Sequence, residues 1–503
     1  MFEGQPKGLY ALALANTGER FGYYTMLAVF ALFLRANFGL SPAMAGYIYS
    51  SFLMLVYFLP LFGGILADKF GFGKMVTIGI IIMFFGYLFL SIPLGSDAIA
   101  LVTMIAALIF ISFGTGLFKG NLQVMVGNLY DNPQYSNKRD AGFSIFYMAI
   151  NIGALFAPTA AVKIKEWGES LGYTSNDAYH FSFAVACVSL VLSIAVYYAS
   201  RKTFRHVEGG SKKQEKTENA VEELTPQETK SRIIALCLVF AVVIFFWMAF
   251  HQNGLSLTYF ADEFTAKTSE GIQSMAFDVS NLVLIIVMVY ALFALFQSNK
   301  LKSQIYLSLL LCLCVCILIW KYNLIEGTIS ISAPIFQQFN PFYVVALTPV
   351  SMAIFGYLAK KGKEPSAPRK IAYGMLVAAF AFFVMVAASQ TLLTPNEQKA
   401  AGDAAIFVSP NWLISVYLIL TFGELLLSPM GISFVSKVAP PKYKGMMMGG
   451  WFVATAIGNQ LVLLGGVLWG DLPLTTVWAV FAAVCLLAAM FMFVMMKKLE
   501  KVC

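Results

Sequence analysis

Nine residues near the start of the chain place a carboxylate, a guanidinium and two phenols inside one apolar stretch. They read Asn16-Thr17-Gly18-Glu19-Arg20-Phe21-Gly22-Tyr23-Tyr24 and lie in a helix predicted over about 8–38. An ionised group at bilayer depth costs on the order of 2.5–3.5 kcal/mol, so it persists mainly beside a water-filled cavity or a partner. The stretch therefore predicts either a transport pathway or a charged pair that holds two helices together.

Further polar side chains interrupt apolar runs downstream. Glu424 supplies an anion, Lys119 a second cation beside Arg20, and Asn151 an amide. A receptor for a zwitterionic solute with amide groups needs a buried anion, a buried cation and amide-type partners. Four aromatic residues are candidate walls with polar tips, namely Tyr23, Tyr57, Tyr147 and Trp451. Taken alone, an Asn or Tyr in such a run is equally typical of a hydrogen bond between helices.

The composition restricts the protein class that must position these groups. The 503 residues are 59% hydrophobic, 15% aromatic and only 12% charged. No globular core hides that much apolar surface, so the chain is predicted to be an all-α polytopic membrane protein. Lys7 is followed by an apolar run too long for a signal peptide, so this first helix is expected to stay.

Hydrophobic runs of about 20 residues, enough to cross ~30 Å of hydrocarbon, occur fourteen times. Six precede a polar stretch at 201–231 that is rich in Lys and Glu, and eight follow it. We therefore expect an N-terminal six-helix bundle (1–200), a cytoplasmic linker (201–231) and a C-terminal bundle (232–503) with an extra helix pair at about 279–320. The predicted spans are 8–38, 43–66, 75–94, 98–121, 141–162, 179–200, 232–260, 279–297, 303–320, 341–358, 370–391, 411–434, 446–469 and 475–496.

Basic residues fall mainly on one side of this topology. With a cytoplasmic N-terminus, cytoplasmic segments hold 26 of the 34 Lys and Arg residues, and the opposite loops hold five. This distribution follows the positive-inside rule and predicts that both termini are cytoplasmic. The net charge of +8 is thereby explained, and no nucleic-acid partner is expected.

The sequence contains no motif that would power transport by ATP hydrolysis. It has no phosphate-binding Gly-x-x-x-x-Gly-Lys-Ser/Thr motif, and its three histidines form no metal-ligand cluster. No metal, no cofactor and no enzymatic activity are expected. An ion gradient is then the expected source of energy for any coupled transport.

The first loop, Gly64-x-x-x-Asp68-Lys69-x-Gly71, resembles the signature of the major facilitator superfamily, which implies a brace at the cytoplasmic gate. Further stretches together resemble the proton-coupled oligopeptide transporter family, and they run in order along nearly the whole chain. They are Glu19-Arg20-Phe21-x-Tyr23-Tyr24, Gly114-Thr115-Gly116-Leu117-Phe118-Lys119, Phe146-Tyr147-x-x-Ile150-Asn151-x-Gly153, Gly423-Glu424-Leu425-Leu426-Leu427-Ser428-Pro429-x-Gly431 and Gly449-Gly450-Trp451-Phe452. The resemblance implies six plus six core helices.

The resemblance also implies roles for individual residues. Glu424 would hold the amino end of a peptide, Lys119 and Arg20 would lie near its carboxyl end, and Asn151 would bind its backbone. Asn340 and Gln252 match family positions at the cavity. We accordingly expect substrate contacts from Arg20, Tyr23, Tyr57, Lys119, Tyr147, Asn151, Gln252, Asn340, Glu424 and Trp451, and proton coupling through Glu19, Lys119, His251 and Glu424.

Four positions depart from the family pattern, one of them Gly120, which stands where a proline is usual in the fourth helix. Asn16 replaces the first acid of Glu-x-x-Glu-Arg, while Leu27 and His251 replace a usual arginine–glutamate pair. Changing both partners together avoids an uncompensated buried charge. Glu19 and Lys119 remain as an expected gating pair. An imidazole titrates near neutral pH, so His251 is either a substitute proton carrier or a neutral link between helices.

The resulting hypothesis is a bacterial inner-membrane symporter, active as a monomer, that takes up di- and tripeptides with protons by alternating access. One alternative is a member with a changed substrate, such as an amino acid, an anion or a conjugated solute, or with weakened coupling. The other is a peptide receptor that no longer translocates and signals through the 201–231 linker.

Overall fold

A computed structural model describes residues 4–209, 224–440 and 443–501. Within these ranges, fourteen helical segments are long and apolar enough to cross a membrane. Their positions agree with the fourteen predicted spans. The fold is therefore all-α, with six spans before the polar stretch and eight after it.

The N-terminal half contains seven helices that form six spans, because two short helices share the second span. Long helices α1, α5 and α6 each exceed thirty residues. The helices are α1 (Lys7–Phe38), α2 (Pro42–Phe58), α3 (Pro60–Phe70), α4 (Phe72–Leu90), α5 (Ala98–Asn128), α6 (Arg139–Ser170) and α7 (Ser175–Ala199).

The C-terminal half contains eight spans, several of them broken, and one small sheet. Its elements are α8 (Pro226–Phe250), α9 (Ser256–Glu263), β1 (Thr268–Glu270), α10 (Gly271–Ser274), α11 (Val279–Gln297), α12 (Leu301–Asn323), β2 (Thr328–Ser330), α13 (Phe339–Lys360), α14 (Ala367–Ala388), α15 (Pro395–Ala401), α16 (Asn411–Val438), α17 (Lys444–Leu461), α18 (Leu463–Val467) and α19 (Leu474–Glu500).

The linker is shorter than the sequence predicted. Short 3₁₀ turns occupy Arg201–Thr203 and Arg205–Val207, and α8 begins at Pro226. Thr225 caps α8 in a reciprocal capping box with Glu228, and a proline at the first helical position favours the same start. The apolar pattern alone placed this start at 232, because the first turns of α8 are polar. The predicted linker residues 210–223 lie outside the described ranges.

The span that carries His251 is discontinuous. Helix α8 ends at Phe250, a 3₁₀ turn covers His251–Gly254, and α9 continues the span. Broken helices at membrane depth are tolerated where the freed backbone is buried in protein or lines a cavity. The break therefore places His251 at a point where the backbone departs from the regular helix.

The extra pair forms a hairpin, α11–α12, at the periphery. Strands β1 and β2 pair antiparallel directly outside it, with Ser269 opposite Ile329. Tyr290 on α11 donates a hydrogen bond to the Val345 carbonyl of α13 at 3.2 Å. Helix α12 has few buried residues, so most of the pair's surface is available to lipid.

Polar contacts between the halves cluster toward the end of the bundle where α1 terminates, here called the Phe38 end; the opposite end is the Lys7 end. Amides on the C-terminal half provide most of these contacts. They join Gln337 to the Ala28 carbonyl (3.1 Å), Thr159 to Gln338 (2.9 Å) and Gln460 to Ser50 (3.3 Å). The halves are thus fastened together at the Phe38 end.

Candidate substrate site between the two halves

Glu19 and Arg20 form a closed ion pair on α1. Arg20 Nε and Nη2 donate to the two carboxylate oxygens of Glu19, each at 2.5 Å. Both side chains are almost fully buried, and the guanidinium lies 4.6 Å from the ring centroid of Tyr23. In this conformation the adjacent guanidinium occupies both carboxylate oxygens of Glu19, and the Glu19–Lys119 gating pair stays a prediction.

Lys119 lies against an aromatic ring. Its Nζ is 3.7 Å from the ring centroid of Tyr57, a cation–π contact between α5 and α2. Among the described residues, no carboxylate oxygen lies within 4 Å of this ammonium. Lys119 is only partly buried, so its charge is available to an incoming anion.

Glu424 provides the anion from the other half. Asn340 Nδ2 donates to Glu424 Oε2 at 2.9 Å and to Thr421 Oγ1 at 3.0 Å. This links α13 to α16 and holds the carboxylate in one orientation. No cation of the described residues lies within 4 Å of Glu424, so the carboxylate has a hydrogen-bond donor but no counter-ion.

Phenols lie between these opposite charges. Glu424 is within electrostatic range of Tyr24, Tyr57 and Tyr147, all on the N-terminal half. Tyr147 is 45% exposed although it lies among these groups, as expected for a side chain that faces the space between halves. Asn151 Nδ2 donates to the Tyr147 carbonyl one turn away. The arrangement is an anion and a cation on opposite halves with tyrosines between them.

Three predicted substrate contacts are buried instead. Gln252 is fully buried and its amide bonds the carbonyls of Met248 and Val462. Tyr23 and Trp451 are 3% exposed. The Trp451 ring lies so close to Gly431 that any larger residue there would overlap it. In this conformation packing and hydrogen bonds within the protein occupy these side chains, and their contact with a substrate stays a prediction.

His251 occupies an aromatic setting at the break between α8 and α9. Its ring stacks on Trp247, with centroids 5.2 Å apart and planes at 21°. The ring centroid of Tyr57, on the N-terminal half, lies 6.2 Å from the ring centroid of His251. His251 therefore contacts the same tyrosine as Lys119, which brings the predicted proton carrier to the substrate site.

The loop signature occupies the second half of the second span. Gly64, Asp68 and Lys69 all lie on α3 toward the Lys7 end. A Cβ at Gly64 would meet nothing within 4 Å, whereas one at Gly63 would overlap the Gly116 carbonyl of α5. The close helix approach thus requires Gly63, and the gate-brace role of the signature stays a prediction.

A second ion pair, which the sequence reasoning missed, joins the halves at the Phe38 end. Arg35 Nη1 and Glu263 Oε1 are 2.5 Å apart, and both side chains are about nine-tenths buried. Trp469 Nε1 donates to the other carboxylate oxygen at 2.9 Å, and Tyr259 lies under the guanidinium at 4.5 Å. The sequence signal that could have revealed this pair is the presence of opposite charges near the ends of two predicted spans.

Several proteins are similar to this chain in sequence over nearly their full length. The chain is 29% identical to the peptide transporter YePEPT of Yersinia enterocolitica. The alignment covers 92% of this chain and 88% of that protein. It is 26% identical to a di-/tripeptide transporter of Lactococcus lactis, with 92% and 89% covered. It is 28% identical to an uncharacterized transporter, YclF, of Bacillus subtilis, with 92% and 87% covered.

Solved structures share the fold. The crystal structure of peptide transporter POT in complex with sulfate has a TM-score of 0.75 at 24% identity, covering 100% of this chain and 96% of that one. A POT family transporter in complex with 5-aminolevulinic acid has a TM-score of 0.75 at 22% identity, covering 99% and 98%. The sequence profile of the POT family matches residues 73–221 and 321–466, more than half of the chain. This protein therefore belongs to the POT family.

Proposed function

We propose that the protein takes up di- and tripeptides together with protons by alternating access. Proton-coupled peptide uptake is the function of the POT family, and relatives from Yersinia and Lactococcus are named as peptide transporters. The broken span at His251 and the division into a half of six spans and a half of eight, with the extra pair at the periphery, suit a secondary transporter with a site near the midplane.

The observation that supports this function best is a pair of uncompensated opposite charges. Lys119 on one half and Glu424 on the other each lack a counter-ion among the described residues. A peptide zwitterion supplies both missing charges at once, its carboxylate to Lys119 and its ammonium to Glu424. Desolvated charges of this kind contribute strongly when paired and are costly when left alone.

The amides and phenols between the charges suit a ligand of variable side chain. Asn151 and Asn340 border this space, and the phenols of Tyr24, Tyr57 and Tyr147 combine an apolar face with one polar tip. Such walls contact many side chains without requiring any particular one. The site therefore fixes the two ends of the peptide and tolerates variety between them.

The polar contacts at the Phe38 end support a carrier that is closed on that side. The Arg35–Glu263 pair and the amide contacts must separate when this end opens. Basic residues concentrate at the Lys7 end, so we assign the Lys7 end and both termini to the cytoplasm. The bacterial inner membrane is the proposed location, and a monomer contains the whole proposed site.

Accumulation of dialanine in liposomes tests this function. Native protein with an inward proton gradient should concentrate labelled dialanine above the external level, and a protonophore should abolish the excess. Equilibration without concentration would indicate that the replaced acids at Asn16 and His251 have uncoupled the carrier. Binding without entry would favour the receptor alternative, and neither binding nor entry would overturn the peptide assignment.

A further inference from the structure

A group of buried polar atoms without hydrogen-bond partners surrounds His251. His251 Nδ1, Trp247 Nε1 and both amide atoms of Asn459 have none among the described residues. Asn459 is fully buried on α17, and it is the polar neighbour of the imidazole. Buried polar groups are nearly always hydrogen-bonded, and each exception requires an explanation. Four such atoms beside one imidazole therefore require a common explanation, and the known explanations are strain, a bound water or ion, and a chemical role.

From this geometry we infer that His251 and Asn459 form the binding site of the coupled proton, with Asn459 as the positioning residue. The inference rests on the proposed proton-coupled uptake and assigns its proton to a particular place. An amide suits this role because its NH₂ group can donate to a neutral imidazole and its oxygen can accept from an imidazolium. One side chain therefore serves both protonation states.

The aromatic neighbours favour the protonated ring as well. Trp247 stacks on one side of the imidazole and Tyr57 approaches from the other half. The face of an indole attracts a cation positioned over it. The turn at His251–Gly254 interrupts the helix at this position, so the ring projects from a break and not from a continuous helical face.

The charged surroundings of the site connect the proton to the substrate. The titratable groups that face His251 are Tyr57 from α2 and Lys119 from α5. Within the described residues, α1 and α17 present no charged group to it. An imidazolium would therefore be opposed by the Lys119 ammonium alone. A peptide carboxylate on Lys119 removes this repulsion, so peptide and proton each favour the binding of the other.

The transfer requires no reactant other than water. A proton from water on the Phe38 side adds to the free lone pair of the neutral imidazole and forms an N–H bond. After the carrier opens at the Lys7 end, that bond breaks and the proton passes to cytoplasmic water. By linkage, the factor by which the peptide tightens proton binding equals the factor by which the proton tightens peptide binding.

Two substitutions at Asn459 give the most direct test, because the inference predicts opposite shifts. The measurement is dialanine counterflow in proteoliposomes as a function of pH. Asn459→Asp places an anion beside the imidazolium and should move the midpoint of the pH profile up by about one unit. Asn459→Leu removes the acceptor and should move it down by a similar amount. Structural damage would not shift the two variants in opposite directions.

A second experiment measures the accumulation of dialanine that a proton gradient drives. His251→Gln should lose accumulation above the external level, while counterflow, which moves no net proton, remains measurable. His180→Gln is the matched control, because His180 is the other histidine in a span, bonds the Leu90 carbonyl and lies toward the Phe38 end. This control should accumulate dialanine like the native protein.

A third experiment measures the binding of dialanine amide, which has no carboxylate. Its binding to the native protein should lose the pH dependence that dialanine shows. Unchanged midpoints in both Asn459 variants, or full accumulation by His251→Gln, would overturn the proton site while leaving peptide symport intact. Absence of dialanine exchange in the native protein would overturn the proposed function, and the proton site with it.

Discussion

Two cations of the N-terminal half, the buried Arg20 and the partly buried Lys119, have opposite surroundings. Arg20 donates to both oxygens of Glu19 and lies over Tyr23, so its charge is compensated inside the protein. Lys119 lies against the face of Tyr57, and no carboxylate oxygen of the described residues lies within 4 Å of its ammonium. A compensated charge stabilises the fold, whereas an uncompensated charge beside a cavity is available to a ligand. The sequence alone assigned both cations to the substrate.

The largest expected effect follows from breaking the compensated pair. Arg20→Gln leaves the buried Glu19 carboxylate alone and should lower the free energy of unfolding by about 3–5 kcal/mol. Thermal unfolding in detergent measures this loss. Glu19→Gln combined with Arg20→Gln should recover much of it, because neither charge remains. A double variant as unstable as the sum of the single variants would contradict the role of Arg20 as a mainly structural cation.

Removing the uncompensated cation should affect transport and spare stability. Lys119→Met should lower dialanine uptake about 100-fold, equivalent to about 2.7 kcal/mol of lost binding. The unfolding temperature should stay near the native value. Lys119→Arg, which keeps the charge in a different shape, is the matched control and should retain part of the uptake. A large loss of stability in Lys119→Met would remove the contrast between the two cations.

The ion pair at the Phe38 end is a second compensated pair, and it joins the two halves of the protein. Arg35 and Glu263 are about nine-tenths buried, so either single change to Gln should cost about 2 kcal/mol of stability. A double-mutant cycle with both changes should show a coupling energy of similar size. Additive single effects would mean that the pair does not hold the Phe38 end closed.

A smaller effect on transport is expected when Glu424, the anion of the site, loses its hydrogen-bond donor. Asn340 donates to Glu424 and to Thr421, and Asn340→Leu removes this donor while leaving the carboxylate. The KM for dialanine should rise about tenfold, since a hydrogen bond to a charged group contributes on the order of 1.5–3 kcal/mol. Thr421→Val removes only the neutral partner and should change the KM less. Equal effects would indicate that the amide does not orient Glu424 in particular.

Much of the fold could be predicted from apolar run lengths, which require no tertiary information. The fourteen spans and the extra pair were found because an apolar run of sufficient length has few alternatives to a membrane helix. The start of α8 was missed because its polar first turns, capped by Thr225, carry no apolar signal. The residues that form the cap, Thr225 and Glu228, fell within the predicted linker 201–231.

The candidate site was harder to predict because pairing depends on tertiary geometry. The sequence identifies Glu19, Arg20 and Lys119 as intramembrane charges, but it does not say which cation the carboxylate selects. Gln252 and Trp451 match family positions, yet packing buries them here. Asn459 gave no signal, because a single amide in an apolar helix is usually a helix-to-helix hydrogen bond. Its unsatisfied atoms become visible only with the neighbouring helix in place.

The preference for a substrate carboxylate tests the contrast between the two cations most directly. The measurement is the ratio of affinities for dialanine and dialanine amide in native protein, Lys119→Met and the Glu19→Gln, Arg20→Gln double variant. We predict that the native protein and the double variant favour dialanine by at least about tenfold, and that Lys119→Met shows no preference. A preference that survives in Lys119→Met and disappears in the double variant would show that Arg20, and not Lys119, receives the carboxylate.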